Sequence, residues 1–165
     1  APGRPLIEAA RELASRTHSD SEYVSEATDA STPALEALEL RRGVCQDFAH
    51  VMLGCLRSLG LPARYVSGYL LTEPPPGQAR LVGSDASHAW VSEYLPAESG
   101  RGRWADLDPT NDRAAGEDYV RLAVGRDYSD VSPMRGVIHG GAHHTLKVAV
   151  TVTPLRDIEA FPAVG

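Results

Sequence analysis

The 165 residues are 42% hydrophobic and 23% charged, enough apolar side chain for a single domain with a real core over residues 1–165 and no division into two equal halves. Sixteen basic against 22 acidic residues leave a formal charge of −6 without a basic stripe, which argues against nucleic acid as a partner. No apolar run approaches the roughly 20 residues of a membrane helix and no signal-type h-region opens the chain, so the expectation is a soluble, cytoplasmic protein without a membrane partner.

The chain starts at Ala1-Pro2-Gly3 rather than at Met, as expected of a piece excised from a longer protein with an N-terminal domain. Leu6, Ile7, Ala10, Leu13 and Ala14 recur at helical spacing. Ser31-Thr32-Pro33 ahead of residues 34–38 reads as a helix cap with proline near the first helical position. A central helix is predicted over residues 44–59, with Phe48, Val51, Met52, Cys55, Leu56 and Leu59 as its buried stripe, ending at Gly60 with Pro62 beyond. After Pro62 the period changes from 3.6 to 2. Strands are predicted at ARYVSGYLL, SHAWVSEYL, RWADLD, YVRLAV and HTLKVAVTV, while TEPPPGQ is a loop because consecutive prolines cannot serve a central strand. The fold class is therefore α+β, helices first and then a largely antiparallel sheet.

Cys45 and Cys55 are the two cysteines, ten positions apart on one predicted helix. That is about 15 Å of axial rise against the 7 Å or so that a disulfide tolerates between Cα atoms, so both thiols are free, as suits a reducing compartment. Cys55 lies in the apolar stripe and reads as a small buried hydrophobe. Cys45 stands at the mouth of the helix, where unpaired N–H groups and the helix dipole favour a thiolate, and a thiolate is a nucleophile.

A nucleophile of this kind needs a base. In DASHAWVSEYL, His88 shares one strand face with Trp90, Ser92 and Tyr94, and in RWADLDPTND, Trp104, Asp106 and Asp108 share another. A hairpin symmetric about Glu98 puts His88 opposite Asp108, Trp90 opposite Asp106 and Ser92 opposite Trp104. A slip of two residues would bring Asp106 to His88 instead; Asp108 is preferred because it ends its strand just before Pro109. Taken singly, His88 reads as a half-buried sheet histidine and Asp108 as an Asx turn. Taken with Cys45, in the order Cys, His, Asp, they read as an acyl-transfer triad.

The blocks RRGVCQDFAHVMLGCLRSLGLPARYVSGYL, DASHAWVSEYLP and WADLDPTND resemble the transglutaminase-like superfamily, in the bacterial branch described as transglutaminase-like cysteine proteases. The similarity runs from about Ser31 to the C-terminus and includes VGRDYSDVSPMRG. It implies a papain-like α+β core with the cysteine helix packed on the sheet, Cys45 as nucleophile, His88 as base and acid, and Asp108 as the residue that orients His88. The backbone N–H of Cys45 is the expected oxyanion donor. Calcium-dependent animal transglutaminases follow the cysteine with tryptophan, whereas this chain has Gln46-Asp47 and no acidic cluster of calcium-loop spacing. This tilts the expectation toward hydrolysis of an amide in a peptide or protein substrate, with no metal or cofactor required. A protein-glutamine acyltransferase with the same triad is the runner-up, and a non-catalytic binding module that keeps the triad is the third reading.

Gln46 is a candidate to polarise the substrate carbonyl or to satisfy the helix end, and Asp47 to complement the helix dipole. Trp90 and Tyr128 are candidate substrate contacts, although Trp90, like Tyr69, also reads as core or cleft wall. Asp127, Tyr128 and Arg135 lie in a segment that either lines a cleft or forms a turn network. His139, His143 and His144 sit in a glycine-rich stretch that reads as a solvated loop rather than a metal site. His50, five positions after Cys45, is rotated about 140° round the helix and is not a base on the same face. Nothing in the sequence sets an oligomeric state.

Overall fold

The computed structural model describes residues 3–72, 87–97, 100–132 and 148–156. In chain order these form α1 (Leu6–Ser19), β1 (Glu22–Tyr23), α2 (Ala34–Leu40), β2 (Arg42–Gly43), α3 (Cys45–Ser58), β3 (Ala63–Leu70), β4 (Ser87–Leu95), β5 (Arg103–Asp108), β6 (Arg113–Ala114), β7 (Tyr119–Gly125) and α4 (Tyr128–Val131). Strands β3 to β7 make one antiparallel sheet in the order β6-β5-β4-β3-β7, and β1 pairs with β2 in parallel just ahead of α3. This is the expected α+β arrangement. Among the described residues no helix is long and apolar enough to cross a membrane.

Helix α3 lies on the sheet. Ala49, Met52, Leu53 and Leu56 meet Tyr65, Ala89, Val91 and Leu107 in one cluster, joined by Ala10 and Ala14 of α1. Each large side chain buried there stabilises the fold by roughly 2 kcal/mol. The buried stripe is rotated from the expected one: Ala49 and Leu53 replace Val51 and Cys55, which are only half-buried, and Leu59 is 74% exposed. For Leu59 the reason is the helix end. Gly60 takes φ +74° and the Leu61 N–H turns back to the Leu56 carbonyl at 3.0 Å, so Leu59 has already left the packed face.

Two other expectations change. Pro33 is the N-cap of α2 rather than its first helical residue, and the Thr32 hydroxyl accepts the Asp29 N–H instead of capping the helix. The described part of the last predicted strand, residues 148–152, forms no strand beyond an isolated bridge at Val150; residues 144–147 lie outside the described residues.

The β4–β5 register is displaced by two residues from the expected one. Val91 faces Leu107, Ser92 faces Asp106 and Tyr94 faces Trp104. Alternation cannot distinguish a slip of two, because every side chain keeps its face. The choice is made by packing: Tyr94 and Trp104 meet edge to face at 5.4 Å, and the Gly102 N–H donates to the Tyr94 hydroxyl. A Cβ on Gly102 would stand 2.3 Å from the Tyr94 ring, so this close approach requires glycine. The ladder ends at Val91–Leu107, and Asp108 therefore reaches His88 along a diagonal rather than straight across.

On the helix-facing side of β4, Glu93 has 0% exposure and neither carboxyl oxygen has a hydrogen-bond partner among the described residues. Burial pushes its carboxyl up to about 7 from the ordinary 4.5. Its contribution to stability is complete below about pH 4.5 and is lost as pH rises through 7, a difference on the order of 3 kcal/mol. Glu93→Gln is therefore expected to raise the unfolding temperature relative to the unaltered chain at pH 8, with the gap closing toward pH 5. Thermal melts across that range check this, and a gap independent of pH would refute it.

Candidate active site

The N-terminus of α3 is built by its own first turn. Val44 is extended at the N-cap, and its N–H donates to Asp47 Oδ2 at 2.8 Å. The same oxygen accepts the Thr28 hydroxyl at 2.5 Å, which ties the 24–33 loop to the helix. Asp47 is 2% exposed, so this carboxylate caps the helix and is closed to substrate. Gly43 is needed for the same contact, since a Cβ there would lie 2.5 Å from Asp47 Oδ2. The sequence Gly-Val-Cys-Gln-Asp thus reads as a device that fixes Cys45 as the first residue of α3, with its N–H ahead of the first intrahelical hydrogen bonds, those of Asp47 and Phe48 to the Val44 carbonyl.

His88 projects from β4 with a side chain 10% exposed, and its Nε2 stands 2.6 Å from Asp108 Oδ2, which is wholly buried. The Cys45 side chain is near enough to act on the ring through hydrogen bonding and charge, and with Nε2 taken by Asp108, Nδ1 is the nitrogen left to face it. Burial works against a charged imidazole, but the hydrogen bonds to Asp108 and Cys45 and their charges outweigh it and raise His88 to about 9. Burial likewise opposes an Asp108 carboxylate, and the His88, Tyr119 and Asn111 bonds overcome it and hold Asp108 down at about 2. At neutral pH the pair is imidazolium and carboxylate.

Asp108 makes the Asx turn and the His88 contact at once. Its Oδ1 accepts the N–H groups of Thr110 (2.8 Å) and Asn111 (3.2 Å), an Asx turn, while Oδ2 serves His88. The turn also presents Asn111, whose Nδ2 lies 2.6 Å from Asp108 Oδ2 and 3.3 Å from His88 Nε2. Asn111 was legible in principle, as the residue three past Asp108. Tyr119, whose hydroxyl donates to Asp108 Oδ2 at 2.7 Å, was not, because it arrives from β7.

Tyr23 is a further residue that sequence patterning did not single out. It pairs with Gly43, two residues before Cys45, and its ring lies 6.4 Å from Phe48 in the first turn of α3. It is 54% exposed, and burial followed by the nearby Cys45 charge pushes its phenol up, which keeps it a hydrogen-bond donor.

The remaining candidates lie elsewhere. Trp90 is 1% exposed, stacked on His88 at 6.1 Å and met edge-on by Tyr119 at 5.2 Å; it supports the His88 ring and is out of reach of a substrate. Gln46 Nε2 donates to the Ala30 carbonyl at 3.2 Å, a loop anchor. Tyr128 sits against the flank of α3, its N–H donating to His50 Nε2 at 3.1 Å; with His50, Arg57 and Asp127 it lines a groove of about 380 Å³ whose α3 residues begin at His50, five positions past Cys45. Asp127 caps α4 through the Ser129 N–H, the turn-network alternative. His50, lowered by burial, accepts the Tyr128 N–H and does not approach the Cys45–His88 pair. Arg135, His139, His143 and His144 lie outside the described residues. Among the described residues no group of three or more His, Cys, Asp or Glu side chains could hold a metal ion.

The family model of the transglutaminase-like superfamily matches residues 1–109. The chain belongs to that superfamily. Uncharacterised proteins of Mycobacterium tuberculosis and Mycobacterium leprae are 49% and 40% identical to it over 156 and 157 residues, 94% and 93% of this chain. The match takes up 50% and 51% of their lengths, so this transglutaminase-like chain spans about half of the curated relatives it matches. A protein-glutamine gamma-glutamyltransferase of Pseudomonas aeruginosa is 42% identical over 73 residues, 44% of this chain and 10% of that protein. The crystal structure of a "Putative Cysteine Protease from Cytophaga hutchinsonii" superposes with a TM-score of 0.61 at 28% identity, covering 77% of this chain and 39% of that one.

Proposed function

We propose that this chain is a cysteine-dependent amide hydrolase acting on a peptide or protein through Cys45, His88 and Asp108. The observation that carries this reading is an imidazole whose Nε2 stands 2.6 Å from a buried carboxylate and whose charged form is favoured by the Cys45 side chain at the mouth of α3. In the proposed reaction the Cys45 thiolate attacks the amide carbonyl and a C–S bond forms. Collapse of the tetrahedral intermediate breaks the C–N bond while His88 Nδ1 gives its proton to the departing amine. Water, deprotonated by the now neutral His88, then attacks the thioester and releases the acid and the thiol. Asp108 stays ionised throughout, orients the ring and stabilises its charged form.

The developing oxyanion needs donors about 3 Å away. The Cys45 N–H is one, and Tyr23, half exposed beside the first turn of α3, supplies a hydroxyl for the second. Tyr23→Phe is expected to lower kcat for amide hydrolysis by about 100-fold, the effect of losing one oxyanion donor, while leaving the rate of Cys45 alkylation by iodoacetamide unchanged, because alkylation passes through no oxyanion. Equal losses in both assays would assign Tyr23 to the thiol rather than to the oxyanion.

The second reading, transfer of a glutamine acyl group to an amine, is favoured by the identity to the Pseudomonas gamma-glutamyltransferase over 73 residues. Both reactions share the thioester and differ in what resolves it. A peptide library rich in glutamine, incubated with a labelled primary amine, separates them: new peptide termini or unlabelled glutamate mark hydrolysis, and label uptake with ammonia release marks transfer. A Cys45→Ala variant as active as the unaltered chain would defeat both.

A further inference from the structure

Asp108 Oδ2 accepts three short hydrogen bonds, from His88 Nε2 and Asn111 Nδ2 at 2.6 Å each and from the Tyr119 hydroxyl at 2.7 Å. The first two donors come from the neighbouring strand and from the turn after β5. The third comes from β7, which β4 and β3 separate from β5.

A β-bulge makes this reach possible. Ser67 pairs with Ala123 but Gly68 pairs with Arg121, leaving Leu122 as an extra residue on β7. Without it the alternation would carry Tyr119 to the helix-covered face; with it Tyr119 pairs with Leu70 and shares the face of His88 and Trp90. Gly68 is the residue that permits the bulge, since a Cβ there would stand 2.0 Å from the Val120 carbonyl oxygen and 2.7 Å from Trp90. The Tyr119 ring is then held at 5.2 Å from Trp90 and 6.0 Å from His88, with the Arg113 guanidinium 4.9 Å from its centre.

We propose that Tyr119 is a positioning residue whose hydroxyl takes up part of the Asp108 charge and thereby sets how tightly Asp108 holds the proton on His88. The inference rests on the Cys45–His88–Asp108 reading and extends it to β7. A carboxylate oxygen has two in-plane lone pairs, so three donors compete for its charge. With the hydroxyl gone, four donors still hold Asp108: His88, the Asn111 amide, and the N–H groups of Thr110 and Asn111. The carboxylate therefore stays in place, its charge concentrates on His88, and the imidazolium becomes a weaker acid toward the leaving amine. The charges that act on His88 are those of Asp108 and Cys45. Arg113 is paired with Asp118, and Arg121, on the same sheet face, with Asp106.

Tyr119→Phe keeps the ring and removes only the hydroxyl. In the full 165-residue chain, NMR titration of His88 labelled with ¹³C and ¹⁵N is expected to give a midpoint at higher pH than in the unaltered chain. On a peptide selected from the library, kcat is expected to fall about 5- to 10-fold with KM unchanged. A midpoint that stays or falls, or an unchanged kcat, overturns the proposal, because a tyrosine that merely packs would leave both unmoved. Asp108→Asn, measured alongside, tells the two failures apart. If it shifts the His88 midpoint and Tyr119→Phe does not, only this inference fails. If neither variant shifts it, the reading of the site fails as well.

Discussion

His88→Ala is expected to lower the rate of amide hydrolysis by about 10³-fold or more, while the chain stays folded. Among the described residues His88 is the imidazole that faces both Cys45 and the buried Asp108, and in the proposed reaction it both charges the sulfur and protonates the departing amine. Removing it also leaves Asp108 without its cation, although the Tyr119, Asn111 and Thr110 donors still satisfy both oxygens, so the carboxylate is not abandoned. Alkylation of Cys45 by iodoacetamide at pH 6, where the imidazolium is fully formed in the unaltered chain, is expected to slow at least tenfold. Undiminished alkylation and hydrolysis in the variant would show that His88 does not serve this chemistry, and absence of hydrolysis in the unaltered chain as well, with alkylation unchanged, would return the chain to the binding-module reading.

Asp108→Asn is expected to lower kcat by about 10³- to 10⁴-fold through a different route, loss of the anion that orients and charges the ring. His88 titrates at about 9 because the Asp108 and Cys45 interactions outweigh burial. With a neutral amide in place of the carboxylate, burial gains weight, and the basic limb of the pH–rate profile is expected to move down toward the ordinary histidine range near 6.5. The direction follows from charge: an anion favours the protonated ring, so its removal lets the proton leave at lower pH. The same substitution changes acid stability. Asp108 sits at about 2 when folded against an ordinary 3.8, so its stabilising contribution is present above about pH 3.8 and is lost as pH falls through 2. The variant lacks that dependence, and melts between pH 2 and pH 5 measure the difference. A basic limb that stays near 9 would show that Asp108 does not govern His88.

How much of this was legible in the sequence depends on the range of each interaction. Cys45 at a helix start, Asp47 as a helix-end charge rather than a catalytic group, and the Asx turn at Asp108 all lie within a few residues of their causes, and local pattern reached them; that Asp47 closes the end as a cap came from the structure. The faces of β4 and β5 were legible for the same reason, since alternation alone puts His88 and Asp108 on one side. The exact register was not, because a slip of two preserves every face; the Tyr94–Trp104 contact over Gly102 makes that choice. Trp90 was assigned to the cleft as well as the core, and only the packing of His88 and Tyr119 over it decided for the core.

By itself, then, the sequence determined an α+β chain with a thiol at the mouth of its central helix, a histidine on a strand and an aspartate before a proline, because caps, periods and turns are written in neighbouring residues. Only the tertiary structure decided that Tyr119 completes the carboxylate's hydrogen bonds, that Tyr23 stands beside the first turn of α3, and that Glu93 is sealed in without a hydrogen-bond partner among the described residues. Those three depend on a bulge in β7, on the pairing of β1 with β2, and on the packing of helices over β4. Each is a contact between segments far apart along the chain, and no local periodicity encodes which of them will meet.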